Sequence, residues 1–375
     1  MSRAERLKQA REDLGASIEE LASWSGLAAE EIAAIEGGGP MSSTAFEALC
    51  RGLAISPHDV LSGPDTDPHR SVAWFRTQLA TGEAEPAKVA AADLRLLKTA
   101  GAVGAVLGFL CNLLGEKPRI LGMRRLVPLD DREEPYRQGY LLGAAARHSL
   151  DPSPLPIPAF QTYLEGLGVH IVIVPFANSA IEGASLWQQD GLPLILLNES
   201  SKRVQYSLSR RAILAHELCH LLHDGGEAEA LARLTFRSKP GSHGDRVEQR
   251  ARGFAPAFLA PPNQVRRWWR KDRFASHKTP QERVLALARE WGLSYEGAVF
   301  HATNCHLIKS TLASELTANP PRGESRFAAR FEANLPEEMP EVSPFFRGLA
   351  RRLVDRAAMA YLISEGRKRE LFAWR

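Results

Sequence analysis

The chain has 375 residues, 44% of them hydrophobic and 24% charged, which is ordinary for a globular protein and enough for two or three domains with cores of their own. A formal net charge of +3 is too small to argue for nucleic acid or a membrane surface as partner. The charge is unevenly spread: residues 1–63 hold five basic residues (Arg3, Arg6, Lys8, Arg11, Arg51) against ten acidic ones, so they carry −5 and the other 312 residues +8.

From the N-terminus, MSRAERLKQARED is charged and lacks the apolar stretch of a secretory signal. Residues 1–63 read as a bundle of short helices, with apolar positions at helical spacing: Leu7, Ala10 and Leu14, then Ile18, Leu21 and Ala22, then Ile32 and Ile35, then Phe46, Leu49 and Leu53. Ser17 and Ser43 stand as N-caps, and Gly37-Gly38-Gly39-Pro40 is a break. The Gly63–Pro68 string GPDTDP opens a linker and spacer over 64–135, mainly helical from about 70 to 114. Its longest apolar run, Ala100 to Cys111, is about twelve residues against the roughly 20 of a membrane span. That shortfall argues against a membrane partner, and Cys50, Cys111, Cys219 and Cys305 form no C-x-x-C pair, which points to free thiols in the cytoplasm.

From about 136 the pattern becomes α+β and mostly helical. A helix over 136–149 and Pro-rich punctuation at 152–158 precede a short helix over 159–167. Strands follow at Val169–Val174 and Pro193–Leu197, with a strand or turn at Ile181–Ser185 between them. Helices then cover 207–223, 244–259, 280–290 and 294–307. The remainder, 309–375, is a Pro- and Glu-rich linker or arm over 319–344 and a basic helix over 345–364.

The helix at 207–223 carries the string Ala215-His216-Glu217-Leu218-Cys219-His220, which reads H-E-x-x-H. Residues four apart share a helix face, so His216 and His220 can hold one metal ion, and Glu217 is placed as general base toward water. A catalytic zinc site commonly has three protein ligands. His223 lies two turns from His216, too far along a straight helix for one ion, and suits a supporting role. Asp245, Glu227 and Glu229 are rivals for the third place. Glu248 is preferred, because Ala251 and Ala255 share its face and let its helix approach closely, with Phe254 and Phe258 as anchors.

With Arg211 ahead of the H-E-x-x-H string, E-x-x-A-x-x-F-A at Glu248, and the upstream segments IEGAS and LILLN, residues 136–308 resemble an ImmA/IrrE-type zinc metallopeptidase. Residues 3–62 resemble a helix-turn-helix domain of the Xre/Cro class. The resemblance implies a zincin-like domain with a small sheet and C-terminal helices. It also implies zinc held by His216, His220 and Glu248, and Glu217 as the catalytic carboxylate. Arg252 stands where the family usually has Asn, and Cys219 where Gly is common; neither removes a ligand.

In a domain of the Xre class the third helix enters the major groove. Here it presents Ala28, Ala29, Glu30, Ala33 and Ala34, an acidic and small-residue face poorly suited to phosphates, so protein docking or homodimerisation stands beside DNA binding. The basic run Arg266-Arg267-Trp268-Trp269-Arg270-Lys271 and the arginines Arg347, Arg351, Arg352 and Arg356 read as amphipathic surfaces, with nucleic-acid contact the lesser alternative. The function expected is zinc-dependent cleavage of a specific repressor-like protein in a stress or phage-related response. The alternative is a DNA-binding or antitoxin-like regulator whose zinc fold serves sensing or interaction.

Overall fold

The computed structural model describes residues 2–55, 57–62, 89–123, 132–188, 191–224, 230–236, 246–271, 279–321, 331 and 341–374. The linker expected at 63–68, most of the arm at 319–344, and Asp245, Glu227 and Glu229 lie outside them. Two compact units emerge, Met1–Val106 with Phe176–Ser179, and Leu107–Pro175 with Ala180–Arg375.

The first unit begins with five helices: α1 Arg3–Leu14, α2 Ile18–Ser25, α3 Ala29–Glu36, α4 Ser43–Gly52 and α5 Pro57–Ser62. Their ends follow from the sequence. Ser2 with Glu5, and Ser17 with Glu20, form reciprocal capping boxes, so two orphan N–H groups at each helix start are satisfied. Ser42, not Ser43, caps α4, because its hydroxyl reaches the Ala45 N–H at 3.0 Å. Leu7, Leu14, Leu21, Ile32, Ile35, Leu49 and Leu53 are buried together as the core.

Helix α6, Ala91–Leu113, is almost twice as long as the apolar run at 100–111, because Ala91, Leu94 and Leu97 extend one buried stripe toward its start. Length and composition alone would let α6 cross a membrane, yet half of its apolar window is buried within the protein.

The second unit contains α7 Pro135–Leu150, α8 Phe160–Gly166, β1 His170–Val174, β2 Ile181–Gln188, β3 Leu194–Asn198, α9 Lys202–Gln205 and α10 Ser207–His223. After these come β4 Ala230–Phe236, α11 Arg246–Leu259, α12 Pro262–Lys271, α13 Pro280–Trp291, α14 Tyr295–Asn304, α15 Ser310–Ala318, α16 Gly348–Met359 and α17 Glu365–Phe372. Its sheet runs in the order β1-β3-β2-β4. β1 and β3 pair in parallel with His170 opposite Leu194, while β2 is antiparallel to both β3 and β4. The -LILLN- strand β3 is buried throughout, as its unbroken apolar run requires of a central strand. Asn198 ends it by donating to the Ile181 carbonyl at 2.7 Å, which ties β3 to the start of β2.

Several elements were not expected from periodicity, among them β4, α12 and α15. β4 reads as ALARLTF, too mixed to signal a strand until β2 offers it a partner edge. In the C-terminal region the basic helix α16 is shorter than 345–364. Two of its arginines are held by carboxylates from outside the helix, Arg352 by Glu165 at 2.7 Å and Arg356 by Glu116. The turn before it is pinned where His170 Nε2 meets the Phe345 carbonyl at 2.8 Å. These contacts give α16 a packing role. The run 266–271 behaves similarly: Trp269 is buried, and the Arg283 guanidinium lies 4.0 Å over its ring.

Candidate metal centre

Nearly every side chain of α10 after Arg210 is buried, so the helix forms the centre of the second unit rather than one of its faces. Arg211 anchors its first half by donating to the Ile157 and Pro158 carbonyls at 2.7 and 3.1 Å. That anchoring explains a buried arginine just ahead of the H-E-x-x-H string.

One turn separates His216 from His220, and their Nε2 atoms lie 3.1 Å apart. Glu248 on α11 reaches both, with Oε2 3.2 Å from His216 Nε2 and Oε1 3.4 Å from His220 Nε2. One ligand atom from each of these three residues falls within 4.8 Å of the others, the only such His/Cys/Asp/Glu group among the described residues. Two imidazole nitrogens and a carboxylate oxygen are the donor set of a three-ligand zinc site, so the residues fit that ion.

A further layer of side chains orients the group. Asp224, four residues after His220 and buried, accepts from His220 Nδ1, and its other oxygen takes the Arg250 guanidinium. Arg250 also donates to Gln138 of α7 at 3.4 Å. Burial would push His220 down, but Asp224, Glu248 and Glu217 together hold its pKa above the usual value. Asp224 is likewise opposed by burial, yet His220 and Arg250 keep its pKa below the ordinary carboxylate range. Such a concentration of carboxylate around buried imidazoles favours a cation.

Glu217 is fully buried and faces β2. Ser185 donates to its Oε2 at 2.5 Å, while Oε1 has no hydrogen-bond partner among the described residues. Gly183 lies two positions from Ser185, on the same face of β2. A methyl group there would come 3.0 Å from Glu217 Oε1 and 3.1 Å from the Leu196 carbonyl, so glycine leaves the carboxylate its space. The roles of Ser185, Asp224 and Arg250 were not read from the sequence. The available signals were the i+4 spacing of Asp224 from His220 and the position of Ser185 inside -IEGAS-.

His223 stands outside the three-residue group. Its ring meets Phe254 edge-on at 5.8 Å, and burial, with Arg250 nearby, pushes its pKa down to about 4. Ala251 is fully buried and Ala255 nearly so, as a small-residue face on Glu248's helix requires.

In the first unit Ala28, Glu30, Ala33 and Ala34 are exposed and Ala29 is partly so. Arg11 is taken up by Glu36, with two contacts of 2.8 Å that join α1 to α3. The exposed face of α3 therefore carries carboxylates and methyl groups and no cation.

Fold and site together define a mostly helical domain with a small sheet and a possible metal centre, joined to a helix-turn-helix bundle. Residues 164–303 match the IrrE N-terminal-like domain of a peptidase family, and residues 4–62 match a helix-turn-helix domain, in the order the resemblance implied. Among curated proteins, none matches the chain.

Proposed function

We propose that the chain is a cytoplasmic zinc-dependent endopeptidase that cleaves one repressor-like regulatory protein in a stress or phage-related response. The observation that carries this reading is the convergence of His216, His220 and Glu248 beside the buried Glu217 carboxylate, within a domain matching a peptidase family. The two Nε2 atoms and a Glu248 oxygen would hold the ion. When bound, zinc supplies Lewis acidity for the scissile carbonyl and lowers the pKa of water.

The chain's own residues do the rest. Ser185 occupies Oε2 of Glu217 and leaves Oε1 as the basic oxygen that takes a proton from the attacking water. The same carboxyl group then returns the proton to the leaving amine. Asp224 holds His220 with Nε2 directed at Glu248 and His216.

The helix-turn-helix match favours one second reading, a DNA-binding or antitoxin-like regulator whose zinc fold senses or docks. Glu217→Gln separates the two. The variant should retain stoichiometric zinc, while a comparison of cellular proteomes shows one protein cut in wild-type cells and intact in the variant. Full biological activity in Glu217→Gln would refute the peptidase reading and leave the regulator.

A further inference from the structure

A cleft of about 1400 Å³ opens between α7, the start of α12 and the α14–α15 junction, and none of the metal-centre residues lines it. It is larger than the roughly 300–1,000 Å³ of pockets that enclose small molecules, which favours a segment of a macromolecule. Its walls are fixed by partly buried hydrogen bonds. Tyr140 Oη meets His301 Nδ1 at 3.1 Å, and Asn304 donates to Tyr136 Oη at 2.8 Å. Arg147 holds the 151–155 loop through the Asp151, Ser153 and Leu155 carbonyls, and its contact with Asp151 at 3.2 Å also occupies the one acidic side chain of the lining.

Arg137, also in the lining, pairs with Glu133 at 3.5 Å, but two other cations there are less engaged. The Arg266 guanidinium bonds the Cys305 carbonyl and Asn263 but meets no carboxylate among the described residues, and Lys309 makes no ion pair there. Beside them lie apolar groups, Leu307, Ile308 and Leu141, the last 56% exposed. Cations at the edge of an aliphatic ledge complement a segment that carries both carboxylates and apolar side chains. A nucleic-acid strand would need a longer track of cations.

We propose that this cleft is an exosite that docks an acidic, apolar-bearing peptide segment of the protein substrate, away from the bond that is cut. The proposal rests on the peptidase reading for its biological role, but its test does not depend on cleavage. A fluorescent peptide alternating Glu and Leu is titrated by anisotropy into the full-length, zinc-loaded Glu217→Gln chain at low salt. Saturable binding is expected, about tenfold weaker in Lys309→Glu and in Leu141→Asp, with zinc content unchanged in both. Both positions are exposed, so folding is preserved. The exosite is refuted by absence of binding, by equal binding of a Lys/Leu peptide, by indifference to both substitutions, or by tighter binding of a single-stranded oligonucleotide at the same residues. A failed peptidase reading would appear instead as uncut protein in wild-type cells.

Discussion

A histidine that gives its Nδ1 proton to a carboxylate keeps one lone pair, on Nε2, and Asp224 places His220 in that state. Zinc affinity should therefore fall about 10–100-fold in Asp224→Asn, measured by competition with a chromophoric chelator. Unchanged affinity would assign Asp224 to its pairing with Arg250 alone. At this scale the meeting of His216 and His220 was legible because residues four apart share one face of a helix. Asp224 was not, since an aspartate at the end of a helix is usually solvated, and its burial depends on Arg250 arriving from α11.

Helices α7 and α11 touch backbone to backbone at three glycines. A methyl at Gly139 would overlap the Arg250 carbonyl, one at Gly143 the Phe254 carbonyl, and one at Gly253 the Tyr136 carbonyl. The sequence pattern pointed to Ala251 and Ala255 as the small face of α11 toward the His216 helix; the approach to α7 is made by other small residues, Gly253 together with Gly139 and Gly143. Gly139→Ala should destabilise the protein by about 1–3 kcal/mol or more in urea unfolding, because neither backbone can yield cheaply. It should also weaken zinc binding, since α11 carries Glu248. Gly166→Ala is the control, with nothing within 4 Å of the added methyl, and should stay within about 0.5 kcal/mol of wild type. Equal effects of the two substitutions would contradict the packing described. Helix α10 matched its expected limits because its apolar content is continuous, whereas β4 depended on the free edge of β2.

The pH dependence of stability belongs to the whole second unit. His170 and His301 are buried neutral, and burial pushes each pKa down to about 4. In the unfolded chain both return to about 6.5, so the unfolded state binds more protons between those values. Their contribution to stability is complete above about pH 6.5, falls as the pH drops toward 4, and is lost below that. Each histidine contributes roughly 3 kcal/mol to the full loss. Urea unfolding at pH 7 and near pH 4.5 should show the decline, and His301→Gln should reduce it. An identical decline in that variant would mean that His301 is not held neutral.

The α+β pattern, the helix-turn-helix bundle and the four-residue spacing of His216 and His220 are local properties, set by periodicity and by turns of one helix, and so could be read along the chain. Glu248 was reachable too, through the small residues that share its face. What the chain could not disclose were contacts between residues far apart in sequence: Ser185 on Glu217, Arg250 on Asp224, and Glu165 and Glu116 on the C-terminal arginines. A polar side chain reads as solvated until packing removes its water and supplies a partner, and that exchange takes place only in the folded protein.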